Sequence, residues 1–542
     1  MSPIRSELLI DQLPIRLSPT LPNLSNLKLP TKVLLALISG VLNWAVFPKV
    51  GLWPLVWICQ LPLLLALIGE KSGGRSLLLG LITGVVFFVG NCGWIATVLL
   101  SYGGLSLLGA QLLFLLLALY LSSYYAIFSW TFSKLSLSGG SLSYWMAPAL
   151  WVSTEYLRAQ VLTGFPWCLL GYGLVDAVHL SQIAKWTGVY GLSFLSICVS
   201  AFVAKALVLP SRAAILRLGG TVSALLCITI AFAKTGGEYS NPDQLVHIVQ
   251  TNIDLDEKLD GAGREALLND LAQLSLPLER SKPQSKLVQV VLWPETPAAF
   301  YFNHDPDFRR RMEDIATSAG SYFFFGFVDF RKSQSGSTKR DPYNSVAMLA
   351  PDGRMISQYD KIHLVPFGEY VPYENLFFFV DKISTEAGNF KPGSRVVVTP
   401  LDHQRSAGTF VCYEAVVSDL VRRFARDGSQ VFVNVTNDAW FGESAAPFQH
   451  LVMTRMRAIE NHRYVLRAAN TGISAIIDPY GQVVKTVARN QRLALEGYFK
   501  FETQMTFYAK YGDVFAWLCV LASAFVIIGQ RLKRSRIFVW IA

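Results

Sequence analysis

The sequence predicts a multi-pass α-helical membrane protein with an α/β domain inserted outside the membrane. Of its 542 residues, 52% are hydrophobic and only 16% are charged, and the mean hydropathy is +0.36. A helix that spans the hydrocarbon core needs about 20 mostly apolar residues. Eight candidate spans lie at residues 32–48, 51–69, 76–100, 104–131, 142–163, 187–209, 215–234 and 511–530.

A block of ordinary charge separates the seventh and eighth candidate spans and is large enough to fold around one core. No internal repeat or low-complexity tract interrupts it. The predicted division is a cytoplasmic N-terminal segment at 1–31, seven transmembrane helices within 32–234, an extracytoplasmic domain at 235–505, an eighth transmembrane helix at 506–530 and a basic cytoplasmic tail at 531–542.

Positive charges predict the orientation, because lysine and arginine concentrate in short cytoplasmic loops. On an eight-helix count the basic clusters share one side: Arg5, Arg16, Lys28, Lys32; Lys71, Arg75; Lys205, Arg212, Arg217; Arg531, Lys533, Arg534, Arg536. That side is the cytoplasm, so the domain at 235–505 lies outside. The first thirty residues hold charges and prolines without a compact apolar run, so the first helix is predicted to be an uncleaved anchor.

The inserted domain alternates short β-branched runs with amphipathic helical stretches, which is typical of a layered α/β fold whose strand ends carry the site. The predicted strands are 245–249, 288–293, 322–328, 345–349, 409–413, 431–436 and 474–478. The predicted helices are 262–276, 306–319, 416–426 and 446–462. The polar stretch 331–340 is interpreted as an exposed loop between two strands.

Several function classes are disfavoured. Much of the net charge of +10 lies in the cytoplasmic flanks, beside anionic lipid headgroups. The chain has no GxxxxGK[ST] phosphate loop and no interleaving of aromatic and basic residues, so no nucleic-acid partner is predicted. Its seven histidines lack zinc-type spacing, so no metal and no cofactor are predicted.

Cys412 is the candidate nucleophile, because it alone among seven cysteines lies well away from any apolar, membrane-length stretch. The other six lie in or near such stretches, where a small apolar side chain is expected. A cysteine attacks as its thiolate and needs a base or a nearby cation to react at neutral pH. A buried structural thiol is the alternative interpretation.

Glu295 lies near the end of a predicted strand and Lys361 in the loop beyond one, and the two complete a set suited to acyl transfer. Glu295 would be the general base. Lys361 would supply fixed positive charge for the thiolate and for the oxyanion of a tetrahedral intermediate. Taken singly, each has a plain alternative as an exposed surface charge, which is the usual state of both residue types.

Two more carboxylates belong to the same candidate site. Glu369 follows Lys361 by eight residues and is expected to pair with the lysine and hold it. Glu414 is expected to orient the lysine or a bound amine. The candidate catalytic residues are therefore Glu295, Lys361, Cys412, Glu369 and Glu414.

These motifs resemble the carbon-nitrogen hydrolase, or nitrilase, superfamily. The matching runs are Trp-Pro-Glu at 293–295, Asp-Lys-x-x-Leu-Val-Pro-Phe-Gly-Glu at 360–369 and Cys-Tyr-Glu at 412–414. A nitrilase-like domain between seven helices and an eighth is similar to the layout of the bacterial apolipoprotein N-acyltransferase family, and the resemblance covers nearly the whole chain. Supporting stretches lie at 164–167, 343–345, 437–442 and 455–463.

The resemblance implies an α/β sandwich that transfers an acyl chain by a ping-pong route through a thioester on Cys412. The implied partners are a phospholipid acyl donor, membrane lipid and a diacylated apolipoprotein, whose S-diacylglyceryl cysteine accepts the chain on its α-amine. The implied location is the bacterial inner membrane, with the catalytic domain on the periplasmic side. Tyr413, Asn344 and Trp440 are the implied substrate-binding residues.

One position departs from the family pattern, and one charged pair is open to two interpretations. Family members commonly have tryptophan where this chain has Leu259, which keeps apolar contact but loses the ring. Glu155 and Arg158 lie three residues apart within a predicted helix. Such a pair is either structural or part of the lining of a substrate cavity.

Two other functions are weighed against acyl transfer. A membrane-tethered amidase of the same superfamily would use water to resolve the thioester, but it would not need a seven-helix lead-in. A transporter with a large external domain would carry ionisable groups throughout its helices. The predicted helices are poor in such groups, which disfavours the transporter.

Overall fold

The computed structural model of the protein describes residues 27–137, 142–208, 212–235, 241–254, 261–276, 287–296, 301–333, 340–371 and 390–541. Most of the predicted segment 1–31 lies outside these residues, as does Leu259. Within them, a helical bundle precedes and follows an α/β sandwich.

The bundle is built from helices that precede and follow the sandwich. The preceding helices are α1 Leu29–Val46, α2 Leu61–Leu67, α3 Gly73–Cys92, α4 Trp94–Tyr102, α5 Leu107–Leu137, α6 Leu142–Gln160, α7 Val178–Ser181, α8 Ala184–Thr187, α9 Val189–Val208 and α10 Arg212–Thr235. After the sandwich come α15 Phe507–Tyr511 and α16 Val514–Ile541. Helix α3 packs against α1 and α5, and α6 packs against α5, α9 and α16.

Five helices in the described part of the chain are long and apolar enough to cross a membrane: α1, α3, α5, α9 and residues Val514–Leu532 of α16. The expectation of one helix over 51–69 is wrong. The chain there forms a 3₁₀ turn, Trp53–Trp57, and the short α2. Proline, which lacks an N–H, occupies the first turn of each, at Pro54 and Pro62, and prevents a continuous helix.

Three other predicted spans also differ from the structure. The span at 76–100 is divided between α3 and α4, which meet at Gly93. Helix α6 ends at Gln160, and its C-terminal half carries the buried charged residues Glu155 and Arg158. In α10 the apolar part is confined to Ile215–Ile228. The count of eight spans therefore stays a prediction.

The α/β sandwich consists of two six-stranded sheets. The strands are β1 Gln244–Gln250, β2 Gln289–Leu292, β3 Tyr322–Lys332, β4 Arg340–Leu349, β5 Met355–Asp360, β6 Val398–Pro400, β7 Ser406–Val411, β8 Val431–Thr436, β9 Val465–Ala469, β10 Ala475–Ile477, β11 Val483–Thr486 and β12 Leu493–Phe499. The first sheet has the order β12-β1-β2-β3-β4-β5 and the second has the order β11-β10-β9-β8-β7-β6. Strands β1, β2 and β3 run parallel to one another, as do β7, β8 and β9.

Alternate side chains of the central strands enter two separate cores, as the pleat of a strand requires. Val290 and Leu292 belong to a core shared with the second sheet, whereas Val291 packs with Leu271 and Met312. These last two residues lie on α11 Gly261–Leu274 and α12 Pro306–Ala319, which cover the first sheet. Two further helices, α13 Ser418–Arg426 and α14 Ala446–Asn461, pack against β7 and β9 of the second sheet.

The predicted strands and helices of the domain all appear; β8 and α12 have the predicted bounds and the others have shifted ends. The predicted strand 409–413 ends at Val411, and Cys412 begins a 3₁₀ turn. The predicted loop 331–340 contributes its first two residues to β3 and its last to β4. The strands that were not predicted are mainly at sheet edges, such as β5 and the exposed β11, where half-buried polar residues obscure the alternation.

Buried charges of α14 connect the sandwich to the bundle. Arg457 and Glu460 are fully buried and lie 3.0 Å apart. Glu460 accepts a hydrogen bond of 2.9 Å from the backbone N–H of Val189, at the start of α9. Arg457 donates to the hydroxyl of Tyr172, in the segment between α6 and α7. The pair therefore binds two groups of the bundle from the sandwich side of the junction.

We expect Glu460→Gln to lower the free energy of unfolding by about 3 kcal/mol, because it leaves the buried Arg457 without a counter-charge. Glutamine has nearly the same shape, so packing is preserved. Thermal unfolding in detergent, followed by tryptophan fluorescence, measures the loss as a fall in Tm.

The matched control is Glu443→Gln, which removes the same charge from an exposed pair with Arg489. Exposed pairs contribute between zero and about 1 kcal/mol, so the control Tm is expected to stay near that of the wild type. Equal Tm values for the two variants would contradict a stabilising role of the buried pair.

Candidate active site

Glu295 is held just beyond the end of β2 by its neighbours in sequence. The backbone N–H of Trp293 donates to the carbonyl of Phe324, and the N–H of Gly326 donates to the carbonyl of Pro294. A Cβ at position 326 would lie 2.7 Å from the Cα of Glu295, closer than real contacts allow. Glycine at 326 therefore lets the glutamate-bearing loop lie directly against β3.

Lys361 follows β5 and is 1% exposed. Its Nζ lies 2.9 Å from Oε1 of Glu369 and 3.3 Å from Oε1 of Glu295. Burial alone would lower the pKa of Lys361, but the charges of the two glutamates outweigh it and raise that pKa above its usual value. The lysine is therefore a fixed ammonium ion, and Glu369 holds it as predicted from the sequence.

Further donors fix both carboxylates. The Nδ2 of Asn344 donates to Oε1 of Glu295 at 2.7 Å and to Oε1 of Glu369 at 2.8 Å. The second oxygen of Glu295 accepts from the backbone N–H of Asn437, and that of Glu369 accepts from the N–H of Val365. Asn344, expected to bind substrate, holds the two carboxylates together; its role toward substrate stays a prediction.

Cys412 lies at the end of β7 in a strained conformation, with a φ of +48°. Its side chain is buried in the core shared by the two sheets, together with strand-end residues such as Leu292 and Val435. Burial, the largest effect, and the Glu295 carboxylate both raise the pKa of the thiol, while Lys361 opposes them. The net pKa is raised, so the resting residue is a neutral thiol and its activation requires a base.

Glu414 acts on the backbone next to Lys361. Its Oε1 accepts hydrogen bonds from the hydroxyl of Tyr359 at 2.8 Å and from the N–H groups of Ile362 and His363 at 2.7 and 3.0 Å. Its Oε2 accepts from the N–H of Val411 at 2.7 Å. Glu414 therefore ties the nucleophile strand to the lysine segment, and it orients the lysine through the chain.

Tyr413 faces the helical bundle. Its ring stacks between Trp167, at 6.3 Å with an interplanar angle of 11°, and His363, at 5.8 Å and 21°. Trp167 is fully buried and belongs to the segment that follows α6. The turn that carries the nucleophile thus lies directly against the bundle.

Glu155 and Arg158 hold this Trp167 segment in place. Arg158 donates from one nitrogen to the carbonyl oxygens of Phe165 and Trp167, at 2.9 and 2.8 Å. Glu155 accepts from the N–H of Leu170 at 2.7 Å. Of the two interpretations of this pair, its contacts favour the structural one.

Trp440, the third expected substrate-binding residue, lies at the edge of the site. It is 38% exposed and makes an edge contact of 4.9 Å with Tyr102, the last residue of α4. Its exposed ring leaves a face available to a ligand. In the described residues, no group of three or more His, Cys, Asp and Glu side chains could hold a metal ion.

Sequence reasoning missed a buried polar cluster behind the nucleophile. His450, Asp438, Arg467 and Thr436 are all fully buried there. A lone histidine in a helical pattern is usually structural, so His450 gave no signal of its own. Among its neighbours, Asp438 appeared only in a supporting stretch and Thr436 only in a predicted strand, while Arg467 appeared in neither.

Two family models match the chain. Residues 39–202 match the apolipoprotein N-acyltransferase N-terminal domain, and residues 245–495 match carbon-nitrogen hydrolase. The chain is 37% identical over 515 residues to the apolipoprotein N-acyltransferase of Geobacter metallireducens, covering 93% of this chain and 96% of that protein. It belongs to the apolipoprotein N-acyltransferase family.

Other members of the apolipoprotein N-acyltransferase family are similar over most of their length. The protein of Methylococcus capsulatus is 32% identical, covering 89% of this chain and 92% of that protein, and the protein of Allorhizobium ampelinum is 30% identical, covering 85% and 88%. The solved structure of Saccharomyces cerevisiae Nit3 is 18% identical, with a TM-score of 0.36, and covers 49% of this chain and 92% of that one. Membership confirms a membrane acyltransferase with an inserted nitrilase-like domain.

We expect Gly326→Ala to lower kcat about 100-fold, because the added methyl group displaces Glu295 from Lys361. A shift of about 1 Å in a catalytic group lowers the rate by about that factor. Acyl transfer from phospholipid to a diacylated lipopeptide measures the effect.

Gly220→Ala is the control, since a Cβ there meets nothing within 4 Å. Its kcat is expected to equal that of the wild type. Full activity in the position-326 variant would show that the close approach of the loop to β3 does not position Glu295.

Proposed function

We propose that this chain transfers an acyl chain from a membrane phospholipid to the α-amine of the S-diacylglyceryl cysteine at the N-terminus of an apolipoprotein. This would be the last step of lipoprotein maturation. The observation that carries the proposal is the position of Cys412. It lies beside Glu295 and Lys361, on a turn whose next residue, Tyr413, stacks on Trp167 of the bundle.

In the first half-reaction, Glu295 accepts the proton of the Cys412 thiol, and Sγ attacks the ester carbonyl of the phospholipid. Lys361 stabilises the oxyanion of the tetrahedral intermediate. As the intermediate collapses, the carbon–oxygen bond breaks, and the protonated Glu295 gives its proton to the departing lysophospholipid alkoxide. The products are a thioester on Cys412 and a lysophospholipid.

In the second half-reaction, the neutral amine of the acceptor attacks the thioester carbonyl. A carbon–nitrogen bond forms, Glu295 takes a proton from the nitrogen, and the carbon–sulfur bond breaks. The departing thiolate regains its proton from Glu295. The enzyme returns to its resting state in this ping-pong scheme.

The other predicted site residues support these steps from their places in the structure. Glu369 and Asn344 keep the lysine and the base together, and Glu414 fixes the segment that carries the lysine. Tyr413 and Trp440 are proposed to contact the lipid substrates at the bundle. Both lie against bundle aromatics, which suits an acyl chain that arrives from the bilayer.

The same proposal covers topology and location. The sandwich within 235–505 faces the periplasm, eight spans lie in the inner membrane, and both 1–31 and 531–542 are cytoplasmic. The basic residues around the ends of the helices support this orientation. A membrane-tethered amidase is less consistent with the site, because the bundle encloses the nucleophile turn through Trp167.

We expect Cys412 to gain an acyl adduct when the protein is incubated with phospholipid alone. Intact-mass measurement detects the adduct, and hydroxylamine removes it because it is a thioester. Cys412→Ala is expected to show no adduct and no transfer to a diacylated lipopeptide. Cys227→Ala, which removes an exposed bundle cysteine, serves as the matched control and is expected to behave as the wild type.

A fully active Cys412→Ala variant would rule out the covalent route. The fate of the adduct then separates the two activities. Release onto an added diacylated lipopeptide supports the transferase, whereas release as free fatty acid at the same rate without the acceptor supports the amidase.

We expect a membrane-impermeant maleimide to label Asp352→Cys in intact bacteria and to label Lys71→Cys only after permeabilisation. Both positions are exposed, the first on the sandwich and the second on the predicted cytoplasmic side of the bundle. The unsubstituted protein gives the background from its own cysteines. The reverse labelling pattern would place the sandwich in the cytoplasm.

A further inference from the structure

The buried polar cluster behind the nucleophile has no part in the proton and acyl transfers described above. It consists of His450 on α14, Asp438, Arg467 on β9 and Thr436 at the end of β8. All four are fully buried, in a region where polar groups are retained only when they are hydrogen-bonded. It contacts the active site through His450, and the side chain of Thr436 also hydrogen-bonds that of Cys412.

The hydrogen bonds define which nitrogen of His450 carries the proton. Its Nε2 lies 3.0 Å from the backbone carbonyl oxygen of Cys412, which is only an acceptor. Nε2 must therefore be the donor. The other nitrogen, Nδ1, lies 3.2 Å from Nη2 of Arg467 and 3.1 Å from Oδ1 of Asp438.

The charges around the ring are consistent with a neutral histidine. Burial would raise the pKa of Asp438, but the charge of Arg467 opposes it and that pKa lies below its usual value, so the residue is a carboxylate. It also accepts from the hydroxyl of Thr436 and from Arg467. Burial, followed by the Arg467 charge, lowers the pKa of His450. Nδ1 thus accepts from Arg467 while Nε2–H donates to Cys412.

The backbone of Cys412 depends on its hydrogen bonds, including the one to its carbonyl, because the residue has a φ of +48°. For a residue with a Cβ, the left-handed region costs roughly 1–2 kcal/mol and persists only when the surroundings hold it. Glu414 holds the preceding residue through the N–H of Val411. His450 holds the carbonyl after it, so the two contacts together set the direction of the Cα–Cβ bond.

We propose that His450 is a positioning residue whose Nε2–H holds the Cys412 carbonyl and so aims the thiol at Glu295 and the substrate carbonyl. The proposal rests on the proposed function for the reaction that it serves. Without the donor, the nucleophile backbone relaxes toward φ values below zero. The thiol then points away from its base, while substrate binding is little changed.

Two amide substitutions separate the two sides of the imidazole ring. In His450→Gln the amide nitrogen occupies the place of Nε2 and can still donate to the Cys412 carbonyl. In His450→Asn the amide reaches only the place of Nδ1 and contacts Asp438 and Arg467. We expect the asparagine variant to lose about 100-fold in kcat with KM little changed, and the glutamine variant to stay within about 5-fold of the wild type.

The experiment measures three quantities for the wild type and both variants: the single-turnover rate of acyl-adduct formation with phospholipid, the rate of Cys412 alkylation by iodoacetamide, and the Tm. Both variants disturb the buried cluster, so a similar fall in Tm is expected for the two. Only the acylation and alkylation rates should separate them, with glutamine faster than asparagine.

Equal rates for the two variants, or asparagine faster than glutamine, would overturn the proposal and leave His450 as a structural partner of Asp438. If the wild type forms no acyl adduct, the proposed function fails. The order of the alkylation rates still decides the role of His450, because alkylation needs the thiol and no acyl donor.

Discussion

The contact of α14 with the helical bundle is the constraint on which the active site depends. The side chain of Gln449 is 1% exposed, accepts from the indole of Trp167 at 2.7 Å, and donates to the carbonyl of Pro48 and the side chain of Asn91. The next residue, His450, bonds the nucleophile backbone. Consecutive residues of one helix thus contact the bundle and the backbone of the nucleophile.

The balance of buried charge explains why the site needs more than a base, a cation and a thiol. Glu295 and Glu369 carry two negative charges and Lys361 carries one positive charge, in a region nearly closed to water. An unpaired buried carboxylate is costly unless donors surround it. The amide of Asn344 and the N–H groups of Asn437 and Val365 supply those donors. These donors therefore hold the base at a fixed distance from the lysine.

The sequence predicted the chemistry of the site better than its support. Glu295 and Cys412 follow apolar strands, and all three catalytic candidates lie in motifs that are visible without a structure. Apart from the Asn344 amide, the donors around them are backbone N–H groups or a lone histidine, and neither gives a pattern in sequence. Similarly, most of the buried central strands were predicted, although β9 was not, and edge strands such as β5 were missed because their residues are half exposed. The single helix expected at 51–69 is divided in the structure, because hydropathy does not register the prolines there.

The one error at the nucleophile itself has a functional reason. Continuing β7 through Tyr413 would send Cys412 and Glu414 to one face of the sheet and Tyr413 to the other, since a strand alternates. A 3₁₀ turn has three residues per turn, so three consecutive side chains point about 120° apart. Cys412 can then face its base, Tyr413 the bundle and Glu414 the lysine segment. The strained φ of Cys412 is the start of that turn, and the strain persists because contacts on both sides hold it.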